Sequence, residues 1–152
     1  MLILRSAREA DNIKIRKLVQ ASLADFDIAA EFNGLDAAIG SAGLPDSENL
    51  VELVAEFEQK ICGCVALERL QAQEGKVFGF HVDKDFRGKG IGRGLLAELV
   101  QRAKQCGLKT LHLDTWDSMQ SAVSLYVSLG WVAAPDPMPD SGANRSFRLE
   151  IS

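Results

Sequence analysis

The fold of this chain is decided by Arg87-Gly88-Lys89-Gly90-Ile91-Gly92. An apolar run at residues 77–82 precedes this stretch, and an apolar-periodic segment that starts near Leu95 follows it. The pattern predicts a strand, a glycine-rich turn and the start of a helix. The first turn of a helix carries unpaired main-chain N–H groups and a partial positive charge, and glycines let an anion approach them closely. Together with the basic side chains inside the stretch and Arg93 just after it, this chemistry predicts a pyrophosphate-binding turn.

The glycine spacing excludes two familiar phosphate-binding motifs. The dinucleotide motif G-x-G-x-x-G needs a third glycine at position 93 or 95, and neither position is glycine. A Walker loop needs serine or threonine after Gly-Lys, and here Gly90 follows Lys89. The spacing that fits is R-x-x-G-x-G, formed by Arg87, Gly90 and Gly92.

A second motif lies downstream. It consists of Leu113-Asp114-Thr115, Met119, Ala122, Leu125-Tyr126 and Leu129-Gly130-Trp131. In order and separation, the two motifs resemble the GNAT family of acyl-CoA-dependent N-acyltransferases, and a looser similarity runs from residue 3 to the end. The resemblance implies that the glycine-rich turn holds the pyrophosphate of coenzyme A and that acetyl-CoA is the cosubstrate.

The composition of the chain limits which other classes of protein it can belong to. The chain has 152 residues, of which 47% are hydrophobic and 25% charged, so we expect one GNAT-like domain over residues 1–152. The net charge of −4 argues against a general nucleic-acid binder. No apolar run is long enough for a bilayer span and no signal peptide is evident, so we expect a cytoplasmic protein without a membrane partner. Cys62 and Cys64 do not suggest a metal site, and we expect them to be buried.

Strand and helix patterns alternate along the chain. They predict strands at 2–6, 50–57, 61–67, 77–82, 109–114, 132–134 and 146–151, and helices at 11–24, 35–39, 90–106 and 119–129. Ile13, Leu18 and Val19 are expected on the buried side of the first helix, with Ile15 or Leu23 as a further buried position. The mixture indicates an α/β (α+β) fold. The family resemblance sharpens this to a mixed, mostly antiparallel sheet with helices on both faces, in which two strands splay apart around coenzyme A.

The resemblance also implies which residues bind the cofactor. The main chain of Phe80 and Val82 would pair with the pantetheine arm, and the Val82 N–H is a candidate oxyanion donor. The full set of expected cofactor-binding residues is Phe80, Val82, Arg87, Gly88, Lys89, Gly90, Ile91 and Gly92.

The catalytic residues are less directly indicated. The resemblance places Tyr126 as the general acid near the departing sulfur, although a core tyrosine on an apolar helix face has the same spacing. Lys76 stands where several relatives have a glutamate base, so Glu74, two residues earlier, is the expected replacement. His81, His112, a water chain or no dedicated base remain alternatives.

The acceptor is the least determined part. Asp25, Asp27, Glu31 and Asp36 lie in the segment that overhangs the acceptor site in this family, and they would favour a cationic amine; a solvated acidic face is an equal alternative. Asp136 and Asp140 invite the same two interpretations. We expect transfer of an acetyl group from acetyl-CoA to a primary amine of a small molecule in a ternary complex. A peptide or protein N-acetyltransferase and a non-catalytic acyl-CoA-binding module are the alternatives. A homodimer is possible, since dimers are common among relatives.

Overall fold

Seven strands form one mixed sheet, and the computed structural model describes it over residues 1–135 and 143–151. The strands are β1 (Leu2–Ser6), β2 (Val51–Phe57), β3 (Lys60–Gln71), β4 (Glu74–Val82), β5 (Thr110–Thr115), β6 (Val132–Ala134) and β7 (Arg145–Glu150). Their order in the sheet is β1-β2-β3-β4-β5-β7-β6. Every neighbouring pair is antiparallel except β4 and β5, which are parallel. The predicted mixed, mostly antiparallel sheet is therefore confirmed.

Four α-helices accompany the sheet: α1 (Asn12–Ala24), the short α2 (Ala37–Gly40), α3 (Ile91–Gln105) and α4 (Gln120–Ser128). A glycine in a left-handed conformation lies just beyond the end of each of the two helices α3 and α4. Gly107 follows α3 with φ +81 and Gly130 follows α4 with φ +93, a left-handed conformation that costs glycine little.

Helices pack on both faces of the sheet because successive side chains of a strand point to opposite faces. On β2, Leu53 is buried with α3 in one core, whereas its neighbour Val54 is buried with α1 and α2 in the other. On β3, Val65 is buried in the core that contains α3, whereas its neighbour Cys64 is buried in the core that contains α1 and α2. Each fully buried aliphatic side chain contributes roughly 1.5–3 kcal/mol, so both layers contribute to stability.

One expected core residue of α1 is wrong. Ile13 is 67% exposed, whereas Ile15, Leu18, Val19 and Leu23 are buried. Ile13 precedes Ile15 by two positions, which is about 200° around an α-helix, so the two side chains cannot share a face.

The parallel strands β4 and β5 pair over only part of their length. The pairing starts at Glu74 and Thr110 and ends at Val77 and Leu113. Beyond that point β4 keeps its partner β3 but leaves β5, so a cleft opens between the two strands. This is the splay that the family resemblance implied.

A bulge in β4 lies at the same place. Cys64 of β3 pairs with His81, but Ala66 pairs with Phe78, so β4 has one extra residue in this interval. Gly79 lies inside it with φ +63, and a Cβ there would come within 2.6 Å of the Ile39 side chain. The bulge therefore needs glycine both for its dihedral angle and for the close approach of α2.

Two observations bear on membranes and metals. Within the residues described, no helix is long and apolar enough to cross a membrane. Over the same residues, no three His, Cys, Asp or Glu side chains gather in a way that could hold a metal ion.

Candidate functional site

The glycine-rich turn presents unobstructed main-chain N–H groups at the start of α3. Gly88 and Gly90 both have φ +79, and a Cβ built on either would meet nothing within 4 Å. Over residues 1–135 and 143–151, no hydrogen bond is donated by the main-chain N–H groups from Gly88 to Gly92. A helix N-terminus with several free donors and no side chain in front of them fits an anion such as a diphosphate.

Gly92 has a different structural role from Gly88 and Gly90. A Cβ at Gly92 would lie 3.0 Å from Phe80 Cζ and 3.2 Å from Leu125 Cδ2. The absence of a side chain therefore lets the first turn of α3 pack closely against β4 and α4. This close packing holds the start of α3 at the open edge of β4.

A groove of about 350 Å³ runs from this turn into the molecule. Of the expected cofactor-binding residues, all but Lys89 line it, namely Phe80, Val82, Arg87, Gly88, Gly90, Ile91 and Gly92. Lys89 is exposed outside the groove, and the Arg93 guanidinium donates a 3.1 Å hydrogen bond to Ser128 Oγ. Arg87, within the R-x-x-G-x-G motif, and Arg93, just after it, are therefore the basic residues that line the groove.

The groove continues into the cleft between β4 and β5, which has a volume of about 240 Å³. We call this second cavity the β4–β5 cleft; its walls are residues 76–81 of β4 and 113–116 of the β5 end, with Ile39 of α2 and Tyr126 of α4. Groove and cleft share four lining residues: Phe80, His81, Met119 and Ala122. A long ligand anchored at the glycine-rich turn can therefore extend along β4 into the cleft.

The open edge of β4 offers main-chain donors to such a ligand. The Asp83 N–H donates a 2.8 Å hydrogen bond to the Cys62 carbonyl on the β3 side. Because successive N–H groups of an extended strand alternate in direction, the N–H of Val82 faces the other side, toward the splayed edge. This orientation agrees with the expected role of Val82.

Tyr126 lies at the inner wall of the β4–β5 cleft. It is 5% exposed, and its ring centroid is 5.9 Å from those of Phe80 and Phe147 and 6.1 Å from that of Trp131. Burial raises the pKa of the Tyr126 phenol well above its usual value near 10. The hydroxyl therefore stays protonated throughout the physiological pH range and keeps an O–H group that can donate a hydrogen bond.

His81 stands where the groove meets the cleft. Its Nδ1 lies 2.8 Å from Ser22 Oγ on α1. Burial, and to a smaller extent the positive charge of Arg87, lowers the pKa of His81 to about 4. The imidazole is therefore neutral at physiological pH and is a weak base.

The structure does not bring Glu74 to the cleft. Glu74 is the first residue of β4, two positions before Lys76, where the cleft wall begins, which corresponds to roughly 7 Å along a strand. Its carboxylate binds His112 Nε2 at 2.8 Å, and neither residue lines the cleft.

Lys76 and Asp114 form the charged end of the cleft instead. Lys76 Nζ lies 3.8 Å from Asp114 Oδ2, and their side chains are 19% and 4% exposed. In the sequence, Asp114 belongs to the downstream motif, and Lys76 is only a departure from the family pattern. Their proximity was missed because it depends on the parallel pairing of β4 with β5, which no local pattern predicts.

The acidic residues of the α1–α2 segment are dispersed. Asp36 lines the β4–β5 cleft and also accepts a 2.7 Å hydrogen bond from the Glu31 N–H. Asp25 lines a separate cavity beside α1, and neither Asp27 nor Glu31 lines that cavity, the groove or the β4–β5 cleft. Asp136 and Asp140 lie outside the described residues.

Known proteins of related sequence include two N-acetyltransferases. The chain is 35% identical over 66 residues to the ribosomal protein bS18-alanine N-acetyltransferase of Escherichia coli, a match that covers 43% of this chain and 45% of that protein. It is 35% identical over 83 residues to human N-acetyltransferase 8B, covering 51% of this chain and 37% of the relative. The chain thus spans less than half the length of these curated relatives.

Solved structures share the fold over the whole chain. A GNAT-family acetyltransferase from Staphylococcus aureus superposes with a TM-score of 0.87 at 18% identity, with full coverage of both chains. A Salmonella typhimurium protein solved with its cofactor acetyl-CoA gives a TM-score of 0.75 at 18% identity, over 99% of this chain and 94% of that one. The family model described as "Acetyltransferase (GNAT) family" matches residues 16–131. With the glycine-rich turn, the splayed strands and this match in agreement, the chain belongs to the GNAT acetyltransferase family.

Proposed function

We propose that this protein is an acetyl-CoA-dependent N-acetyltransferase that acts on a primary amine of a small molecule. The observation that carries the proposal is the continuity between two features: the unpaired N–H groups at Gly88 and Gly90, and the cleft that contains Tyr126. The glycine-rich turn, at one end of this continuous space, suits a diphosphate. The β4–β5 cleft, at the other end, suits a reacting group held along the edge of β4 that β5 leaves open. Acetyl-CoA carries both, with the thioester at one end of its pantetheine arm and the diphosphate at the other end of that arm.

The proposed cofactor contacts are mostly main-chain contacts. The N–H groups from Gly88 to Gly92 bind the pyrophosphate, and the Arg87 guanidinium adds a charge-assisted hydrogen bond. The main chain of Phe80 and Val82 pairs with the pantetheine arm along the edge that β5 leaves open. The Val82 N–H is then a donor for the negative charge that develops on the thioester oxygen.

The reaction is direct transfer in a ternary complex. The amine nitrogen forms a bond to the carbonyl carbon of the thioester, and the carbon–sulfur bond breaks. An ammonium acceptor gives up two protons to solvent and the departing thiolate takes one back from solvent, so one proton is released in total. Holding both reactants in one cleft supplies the proximity that the reaction in water lacks.

Tyr126 acts on the departing sulfur in this proposal. Its phenol holds its proton more strongly than a thiol with a pKa near 8.5 does, so complete transfer to the thiolate is unfavourable. We therefore assign Tyr126 as a hydrogen-bond donor that stabilises the thiolate, which then takes its proton from solvent.

No side chain is assigned as the base. Glu74 is bound to His112 outside the cleft, and the low pKa of His81 makes it a poor acceptor. The acceptor amine loses its first proton to water before it attacks.

A peptide acceptor is the second candidate. It is favoured by the 35% identity to the alanine N-acetyltransferase of a ribosomal protein. A non-catalytic acyl-CoA-binding module is the third, motivated by Lys76 at the position of the family's glutamate. A cytoplasmic location, a single domain and a homodimer stay predictions from the sequence.

The test is release of free thiol from acetyl-CoA with small amines and with alanine-terminated peptides. The proposal expects turnover with small amines, and Tyr126→Phe should lower kcat about 10- to 100-fold, because a hydrogen bond to a charged atom is worth roughly 1.5–3 kcal/mol. Turnover with peptides alone would support the second candidate. Tight binding of acetyl-CoA without thiol release from any acceptor would support the third.

Cofactor binding is tested separately. Arg87→Ala should weaken acetyl-CoA binding about tenfold or more. Lys89→Ala is the matched control, because Lys89 lies outside the groove and should change the Kd much less. Equal effects of the two substitutions would remove Arg87 from the binding site.

A further inference from the structure

We propose that the acceptor is a free α-amino acid, whose carboxylate binds Lys76 and whose amino group lies beside Asp114. This inference rests on the proposed function, since it names the class of small amine that the cleft takes. It comes from three charged side chains that line the β4–β5 cleft, of which Lys76 and Asp114 form an ion pair and Asp36 is the third.

The spacing of the ion pair matches a zwitterion. Lys76 Nζ and Asp114 Oδ2 are 3.8 Å apart, longer than a hydrogen bond. The ammonium and carboxylate of an α-amino acid are attached to one carbon, so both can engage two opposite protein charges at this spacing. A peptide N-terminus or a simple amine offers only the positive group, so it can engage Asp114 but supplies no additional carboxylate to Lys76.

Burial gives this pair its selectivity. The Asp114 side chain is 4% exposed and that of Lys76 is 19% exposed, so water screens both charges less than it does at the surface. Glu68 of β3 and His112 of β5 are the register neighbours of Lys76. Asp36, at the start of α2, adds a second carboxylate to the lining of the cleft.

The remaining walls are mostly apolar. Leu23, Leu35, Ile39, Phe78 and Met119 line the same cleft. These side chains offer no partner to a charged group, so the acceptor's own side chain is apolar. Leucine is therefore a suitable probe.

The experiment compares leucine, leucinamide and 3-methylbutylamine, which share an apolar side chain and differ in the carboxylate. Thiol release from acetyl-CoA should give a kcat/KM for leucine at least about tenfold above that of the other two. Leucinamide has the more acidic ammonium, so amine basicity favours the amide and cannot produce this preference. Equal rates, or a preference for leucinamide, would overturn the inference and leave the proposed function intact.

The role of Lys76 as the carboxylate ligand is tested by substitution. Lys76→Met should remove the preference for leucine over leucinamide, and Lys76→Arg should retain most of it. The control is Lys109→Met, which replaces an exposed lysine directly before β5 and should leave the preference unchanged. Folding of each variant is checked by its binding of coenzyme A at the distant turn. Preference that survives in Lys76→Met would overturn the assignment.

A direct binding measurement separates failure of the proposed carboxylate site from failure of the proposed function. Calorimetry with the coenzyme A complex should show leucine binding to the wild type and about tenfold weaker binding to Lys76→Met. Leucine binding without thiol release would contradict the proposed function and support the carboxylate site. Thiol release with other amines, but no leucine binding, would contradict the site alone.

Discussion

Acidification should destabilise this protein through His81 before its carboxylates begin to titrate. The pKa of His81 is about 4 in the folded state, against about 6.5 in an unfolded chain. Because the folded pKa is the lower one, the unfolded state binds more protons between these values, and stability falls as pH falls. The stabilisation is complete above pH 6.5 and is lost progressively toward pH 4.

The magnitude follows from the two pKa values. Between pH 7.5 and pH 5, linkage gives a loss of about 2 kcal/mol in the free energy of unfolding. For a domain of this size that loss corresponds to roughly 4–8 °C in Tm. Asp11, whose pKa is lowered chiefly by its hydrogen bond with Arg5, loses its contribution only as pH falls below its ordinary value of 3.8. The loss of stability through His81 and the loss through Asp11 therefore occur in different pH ranges.

Urea unfolding at pH 7.5, 6.5 and 5 measures the effect, with tryptophan fluorescence as the signal. His81→Gln should flatten the pH dependence of the free energy of unfolding by about 2 kcal/mol across this range. His112→Gln is the matched control, because the chain has two histidines. His112 lies on β5 beside Glu74, which is the first residue of β4, whereas His81 is near the last. If His81→Gln shows the same slope as the wild type, His81 is not held neutral by burial and the reasoning fails.

The remaining predictions concern left-handed backbone positions. Gly90→Ala and Gly43→Ala meet similar dihedral strain, at φ +79 and +85, but a Cβ at Gly43 would lie 2.3 Å from the Arg8 carbonyl oxygen. Urea unfolding should therefore show a loss of about 1–2 kcal/mol for Gly90→Ala and a clearly larger one for Gly43→Ala; equal losses would mean that the clash relaxes. Gly90→Ala should also weaken acetyl-CoA binding in calorimetry, whereas Gly43→Ala should not; an unchanged Kd for Gly90→Ala would contradict the open turn as the binding site. The β2–β3 turn places Glu58 and Gln59 at φ +49 and +70, so Glu58→Asn with Gln59→Gly should raise Tm by a few degrees; an unchanged Tm would show that this turn carries little strain.

Much of the fold could be predicted because its signals are local. The apolar period of α3, the left-handed glycines after α3 and α4, and the alternation of β5 all lie within a few residues of the elements they specify. The glycine-rich turn belongs to this class, since its free N–H groups result from the start of a helix.

Side-chain proximity in the candidate site could not be predicted in the same way. Glu74 and Lys76 are two residues apart and point to the same face of β4, yet one binds His112 and the other lies by Asp114 in the cleft. The register of β4 on β5 decides between them, and the sequence carries no local signal for that register. Tyr126 was indicated by a family motif, but its enclosure by three aromatic rings depends on β4, β7 and the chain after α4.

The sequence by itself determined the glycine-rich turn, the main helices and strands around it and the family to which they belong, because main-chain dihedral preferences and amphipathic periods act over a few neighbouring residues. Tertiary structure decided where β4 leaves β5, which charges meet in the resulting cleft, and which titratable groups are removed from water. Those outcomes depend on strand pairing and burial between residues far apart in the chain, and their energies exist only once the layers have packed.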